Sequence, residues 1–277
     1  MKVGIWEHGG VKLEGVSLAG IRTCVTLPQH ALAFDVANGL DAAVNMGTFF
    51  ITHGHMDHAA GIPYVISQKA MNSHRPPRFI MPPSLVKPLR EIMRQWSKIE
   101  GHEYEFDFRA AGPGEEITVN SQLFVRAFPT VHRVPSQGYS LYRRFRKLRL
   151  DLAGAGGEEI AELRRRGEDP TEEKSELLLS FTGDTQIEFL DRAPEVRAAK
   201  ILVMEATYLD ERKSIASARE WGHVHLDELI PRLDTIASEK ILLIHASGRY
   251  TYEEARKLLE QRLPPHERSR VELFPGR

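Results

Sequence analysis

Between Phe49 and Gly61 the chain reads FFITHGHMDHAAG: an apolar run stops, and His53, His55, Asp57 and His58 follow in quick succession. Imidazole and carboxylate side chains this dense suit a divalent cation. If Phe49 to Thr52 is the end of a buried strand, His53 and His55 fall on one side of its extension and can share one ion. Asp57 and His58, half a turn later, face a neighbouring position. The loop therefore predicts two cations roughly 3.5–4 Å apart, the spacing of paired-metal hydrolases. Gly54 and Gly61 are expected to let backbone crowd the ions with no Cβ in the way.

Three more side chains of this kind stand just past apolar segments far along the chain. His132 follows the run 117–128, Asp184 lies in Thr182-Gly183-Asp184-Thr185 after LLLSF, and His245 closes KILLI. Gathered at one end of a sheet, His53, His55 and His132 would hold one ion and Asp57, His58 and His245 the other. Asp184 would bridge them through its two oxygens, leaving an open position for water. Two such ions lower the pKa of a bridging water and clamp phosphate oxygens as negative charge grows, and Asp57 can orient the hydroxide. Asp35, which ends ALAFD ahead of Asn38-Gly39, reads as a loop cap, with a buried carboxylate behind a metal ligand as the alternative.

The rest of the chain must position these groups. At 277 residues and 42% hydrophobic it can bury a full core, and one domain spanning 1–277 is expected. A net charge of −1 excludes attraction of the whole molecule to nucleic acid, so any basic partner surface must be local. Cys24 is alone, which excludes an internal disulfide and a cysteine-based metal site and suggests a reducing compartment. The N-terminal stretch MKVGIWEHGGVKLEG has charges where a signal peptide needs an apolar core, and no run reaches the length of a membrane span. A cytoplasmic protein with no membrane partner is the expectation.

Short strands are predicted between residues 11 and 52, then at 103–109 and 117–128, and again at LLLSF, ILVME and KILLI. Helices are predicted after His58, over 84–99 with Ser84 as its cap, and at YEEARKLLEQRL near the end. In the second of these, Ile92, Met93 and Trp96 read as a core stripe. Apolar strands that end in polar chemistry, with helices between them, predict a layered α/β fold. Residues 142–176 depart from this pattern: charged, Gly-rich in the middle and poor in apolar residues, they read as a protruding insert.

His53-Gly54-His55-Met56-Asp57-His58 resembles the HxHxDH signature of the metallo-β-lactamase superfamily, which implies a four-layer αββα sandwich. Segments VHRVPSQGY (131–139), FTGDT (181–185), MEATY (204–208), GHVHL (222–226) and HASGRY (245–250) narrow the resemblance to the ribonuclease Z family, the tRNA 3′-processing endonucleases, in its short plant or bacterial form. By that resemblance Glu205 and His223 serve catalysis, the partner is precursor tRNA, the protein is a homodimer, and the cofactors are two divalent ions, zinc first with manganese or iron as alternatives. The chemistry agrees: the leaving 3′ oxygen of an RNA needs a proton, and a histidine oriented by a carboxylate can supply one. His225 reads equally as a group behind a ligand or as a helix start.

Two departures from the family accompany this. Between its third and fourth ligand motifs the family carries an arm with a Gly-Pro-rich tip that grips tRNA; here that interval is the shorter charged insert. Its Arg143, Arg144, Arg146, Lys147, Arg149 and Arg164, Arg165 and Arg166 either contact phosphates or, diluted by Glu158, Glu159, Glu162 and Glu172, form a solvated hairpin. Ala246 also stands where an aromatic is usual. The expected activity is metal-dependent removal of the tRNA 3′ trailer by a metal-activated hydroxide; the alternative is hydrolysis of a small phosphodiester or ester, since metal ligands alone do not choose a substrate.

Overall fold

The apolar runs fold as strands, and which of them are parallel decides where polar chemistry can collect. The structure, a computed structural model, describes residues 3–276. The first half of the chain builds one seven-stranded sheet in sequence order: β1 (Gly4–His8), β2 (Val11–Leu18), β3 (Arg22–Leu27), β4 (Leu32–Phe34), β5 (Thr48–Phe50), β6 (Arg78–Met81) and β7 (Asp107–Ala110). Strands β1 to β4 are antiparallel, and β4 to β7 are parallel.

The second half builds another sheet of seven: β8 (Glu116–Thr118), β9 (Leu123–Pro129), β10 (Gln137–Leu148), β11 (Thr171–Phe181), β12 (Ile201–Glu205), β13 (Lys240–Ile244) and β14 (Val271–Leu273). Here too an antiparallel run, β8 to β11, gives way to parallel strands, β11 to β14. The two halves thus share one plan, although no fixed-period repeat is visible in the sequence. Parallel neighbours need crossovers, and helices Ile62–Met71, Pro83–Glu100 and Tyr252–Arg262 lie in such connections.

Three apolar clusters separate four layers. The inner one draws Leu13, Phe34 and Phe50 from the first sheet against Phe181, Val203 and Ile244 from the second. Phe34 and Phe181 stack across it with ring centroids 4.8 Å apart. The outer faces are covered by helices, Val65, Ile66 and Met93 on one side and Ala255 and Leu259 on the other. This is the α/β sandwich of the metallo-β-lactamase fold.

Several expected elements shift. The run 117–128 is broken at Asn120, whose Oδ1 accepts the N–H groups of Gln122 and Leu123, so that β8 and β9 form a hairpin. The helix expected from Ser84 starts at Pro83 behind Pro82 with no side-chain cap; proline at the first position already lacks the N–H that a cap would satisfy. Within it Met93 is buried, but Ile92 is 46% and Trp96 43% exposed, so they are no core stripe. At about 100° per residue, the inward direction set by Met93 and Ser97 leaves both on the flank.

The insert extends the sheet as a ribbon. The β10–β11 ladder continues to Leu148↔Thr171, whereas β9 pairs with β10 only as far as Arg143 and β12 pairs with β11 only from Leu179 onward. Beyond those points the two strands have only each other, and helix Gly157–Arg165 lies in the connection. Basic β10 faces acidic β11: Arg143 pairs with Glu176 at 2.6 Å and Arg144 with Glu173 at 3.6 Å, while Arg146 pairs with Asp169 and Arg149 with Asp151. Glu162 holds both Arg165 and Arg166. Among the described residues only Lys147 and Arg164, of the eight cations named for the insert, lack a carboxylate partner, so the ribbon largely neutralises itself. None of the described helices is long and apolar enough to cross a membrane.

Because Phe181 joins the two sheets, Phe181→Ala should lower the unfolding free energy by about 3–5 kcal/mol in a urea titration.

Candidate metal centre

Every predicted ligand lies just beyond a strand end or in the loop that follows it. The chain leaves β5 at Phe50, runs extended through Thr52 to His55, and turns at the short helix Met56–Ala59, which carries His58 back toward the sheet. His132 follows β9, Asp184 follows β11 and His245 follows β13. Ligand-type atoms of His53, His55, His132 and Asp184 lie within 4.8 Å of one another, as do those of Asp57, His58 and His245. His223, after helix Ile215–Trp221, joins Asp184 and His245 at the same range. The seven predicted ligands and His223 meet in one place.

Asp184, buried to 2% exposure, sits between two lobes. Its Oδ2 lies 3.6 Å from His53 Nε2 and 4.0 Å from His132 Nε2; its Oδ1 lies 3.2 Å from His58 Nε2 and 3.4 Å from His245 Nε2. Asp57 Oδ2 closes the second lobe, 3.3 Å from His245 Nε2 and 3.6 Å from His58 Nε2. In the first, His132 Nε2 and His55 Nδ1 are 3.3 Å apart.

The far side of each ring fixes which nitrogen is free. Thr52 Oγ1 donates to Asp35 and so accepts from His53 Nδ1 at 3.0 Å. His58 donates from Nδ1 straight to Asp35 Oδ2 at 2.7 Å. Thr207 Oγ1 donates to Glu205 Oε2 at 2.6 Å and accepts from His245 Nδ1 at 3.1 Å. His132 donates from Nδ1 to the carbonyl of Gly222 at 2.8 Å. Four rings are thereby held with Nδ1 protonated and the Nε2 lone pair turned inward, an assignment that follows from these partners.

The electrostatics ask for positive charge at the centre. Burial, aided by His58, holds His53 well below the usual imidazole range, and burial lowers His55 and His132 as well, so these three offer neutral nitrogens. For His58 burial disfavours charge, but Asp184 and Asp35 more than reverse this and raise it well above its ordinary value. Burial likewise favours a neutral Asp184, yet His245 and His58 hold it well below the carboxylate range. His53 Nε2 and Asp184 Oδ1 are buried without a hydrogen-bond partner. Orphaned lone pairs facing one another across 3–4 Å are costly unless a cation lies among them, and imidazole with carboxylate is the donor set of zinc-like ions. The site fits a pair of divalent metal ions.

Beside the centre, Glu205 is fully buried and its two oxygens accept from Thr185 N, Thr207 N, Thr207 Oγ1 and His223 Nδ1. The His223 contact is 2.9 Å. Burial opposes charge on His223, but the Glu205 carboxylate outweighs it and pushes the ring up to about 9.

Comparison with known proteins decides the family. The chain is 33% identical over 260 residues, 93% of either protein, to tRNase Z TRZ1 of Arabidopsis thaliana. The chain belongs to the ribonuclease Z family. It is also 34% identical, over 88% of its length, to the chloroplastic tRNase Z TRZ2 of the same plant. Among solved structures, human tRNase Z, short form, superposes with a TM-score of 0.62 over 94% of this chain and 95% of that one at 17% identity. A diphosphatase of the PhnP family superposes with a TM-score of 0.55 at 12% identity over 89% of this chain and 78% of that one, a likeness of fold alone. A family model described as anti-Pycsar protein Apyc1 matches residues 28–147, which include His53, His55, Asp57, His58 and His132 but neither Asp184 nor His245.

For a member of the ribonuclease Z family, parts of this centre differ from the first expectation. Asp35 is not the loop cap but the alternative, a buried carboxylate behind a ligand: at zero exposure and φ +55° it accepts the backbone N–H and hydroxyl of Thr52 as well as the His58 ring. Thr52 and Thr207 were missed; the signal available was a hydroxyl next to His53 and a second two residues after Glu205. Gly54 and Gly61 serve packing rather than close approach to an ion. A Cβ at Gly54 would meet the Leu85 side chain at 2.8 Å, and one at Gly61 the backbone of Gly39 at 2.2 Å. Gly183 is the glycine the site requires, since at φ +60° its missing Cβ leaves room for Thr52. His225 resolves as a helix start: its Nδ1 accepts from Asp227 N, and its Nε2 reaches the carbonyls of Asp210 and Lys213.

If the threonine relays orient the ligands, Thr52→Val and Thr207→Val should each weaken metal binding about 10- to 100-fold in competition with a chromogenic chelator, with the fold intact by circular dichroism.

Proposed function

We propose that this protein is a metal-dependent endoribonuclease that removes the 3′ trailer from precursor tRNA. The observation that carries the proposal is the buried Glu205 holding His223 by Nδ1, beside a two-lobed donor set, in a chain one third identical to plant tRNase Z. In this reading His53, His55 and His132 hold one ion, Asp57, His58 and His245 the other, and Asp184 serves both. Five imidazoles and two carboxylates favour zinc, with manganese or iron able to substitute. When bound, such ions supply Lewis-acid activation of water and neutralise charge on the phosphate.

The chain supplies the rest. The N–H of Gly20 donates to Asp57 Oδ2 at 2.9 Å and fixes that carboxylate, leaving its other oxygen to orient the attacking water. As the water oxygen bonds to phosphorus, the bond from phosphorus to the 3′ oxygen breaks, and His223 passes a proton to the leaving oxygen. Glu205 keeps the donor ring aligned through both events. Asp35 stands behind His53 and His58 and Glu205 behind His245, so a shift of either carboxylate moves ligands, and a shift of Glu205 moves the proton donor as well.

We further infer a homodimer, with the outward face of helix Pro83–Glu100 as the contact. Exposed Ile92, Trp96 and Ile99 run along it at helical spacing, and Met56 and Tyr64 continue the apolar surface around a cleft of about 470 Å³. A cytoplasmic location is part of the same reading, supported by a single, buried cysteine.

His55→Ala should abolish cleavage of a 3′-extended tRNA precursor and reduce bound metal. His223→Ala should retain metal by elemental analysis and slow turnover about 10²- to 10⁴-fold; unchanged turnover would refute the proton-donor role. Cleavage of bis(p-nitrophenyl) phosphate with no cleavage of the precursor would transfer the assignment to a small-phosphodiester hydrolase. For the dimer, Trp96→Glu should give a monomer in sedimentation velocity; a wild-type monomer overturns it.

A further inference from the structure

Most arginines near carboxylates in this protein are paired with them; one beside the metal centre is not. Arg133 directly follows His132, is exposed, and has no carboxylate partner among the described residues. Its guanidinium instead lies over the indole of Trp221, 4.8 Å from the ring centroid. Trp221 is 50% exposed and ends the helix before Gly222-His223.

The two residues come from segments far apart in the chain that meet beside the site. His132 donates to the carbonyl of Gly222, and Gly222, at φ +80°, has no room for a Cβ: one would sit 2.7 Å from His132 Nδ1 and 3.2 Å from Arg133 Cγ. The stack is therefore held in register with both the His132 lobe and the proton donor His223.

Resting on the ribonuclease reading above, we propose that Arg133 and Trp221 form a clamp for an unpaired nucleotide beside the scissile phosphate. An exposed indole offers a face on which a base can stack. A guanidinium with no carboxylate partner offers charge-assisted hydrogen bonds to the adjoining phosphate, and it is already held at the indole, 4.8 Å from the ring centroid. Bases inside the acceptor stem are stacked on their neighbours and cannot use such a face; a nucleotide at the cut junction or in the trailer can. The clamp would supply RNA affinity that the largely self-neutralised insert ribbon does not.

The test uses the full-length, metal-loaded protein and a 3′-extended tRNA precursor, intact or with single abasic nucleotides at the positions flanking the cut. One abasic position should raise KM about tenfold in the wild type with kcat within about twofold. Trp221→Leu should raise KM on the intact RNA by a similar factor, and that abasic position should then add nothing; Trp221→Phe should restore most of the loss. Arg133→Gln should reduce the slope of log KM against log salt by about 0.7.

Losses that multiply when the abasic substrate meets Trp221→Leu overturn the clamp. So does a fall in kcat on RNA matched by an equal fall on bis(p-nitrophenyl) phosphate, which would mean that Trp221 acts on the ligand set through Gly222 and His132, or a fall in kcat on RNA alone with KM unchanged, which would mean that it positions His223. If the wild type hydrolyses the small diester but leaves the RNA uncut, the ribonuclease reading fails and the clamp with it. If RNA is cut and KM is unmoved in Trp221→Leu, the clamp alone fails.

Discussion

The structure is organised around a buried excess of lone pairs. Five imidazoles and two carboxylates converge within a few ångströms, most of them out of water, and Asp184 alone faces four ring nitrogens. Such an arrangement repels itself unless positive charge sits inside it. Everything around the centre can be understood as holding these groups in place against that repulsion: two sheets whose parallel strands end at one edge, hydroxyl relays behind the rings, and residues in strained backbone conformations, Asp35 at φ +55° and His245 at φ +60°.

The ligand rings are supported in the same way from the two sheets. On the first side a buried carboxylate, Asp35, reaches His53 through Thr52 and His58 directly. On the second, Glu205 reaches His245 through Thr207 and His223 directly. One arm of each fork is a relay to a metal-type ligand; the other ends on His58 in the first sheet and on the proposed proton donor in the second. A half-chain plan used twice, once per sheet, has thus yielded a matching pair of supports with different chemical ends. In the proposed mechanism, metal binding and proton delivery would be coupled through Glu205, whose four hydrogen bonds leave it little freedom to move.

The charged ribbon illustrates how composition misleads. Its run of arginines suggests a phosphate surface, but the strand pairing places acidic β11 across from basic β10, and Glu162 takes Arg165 and Arg166. Exposed pairs of this kind add little stability, about 0–1 kcal/mol each, yet they remove the net field that would attract RNA. Arg133, which has no carboxylate partner among the described residues, lies beside the centre in a motif dominated by its neighbouring histidine.

What the sequence by itself determined was which ligand-type side chains stand past apolar runs and the layered α/β class of the fold. Ligand types, their positions after apolar runs, and the motif around Glu205 and His223 are local patterns, and a strand end is the one place where a buried run can present a polar side chain. Only the tertiary structure decided the partners of those groups. Asp35 and His58 are separated by 23 residues and Thr207 and His245 by 38, and which hydroxyl stands behind which ring depends on strand register rather than on sequence spacing. The same holds for the outward turn of Ile92 and Trp96 and for the pairing of Arg133 with Trp221: each is set by which side of an element faces another, a choice made by packing.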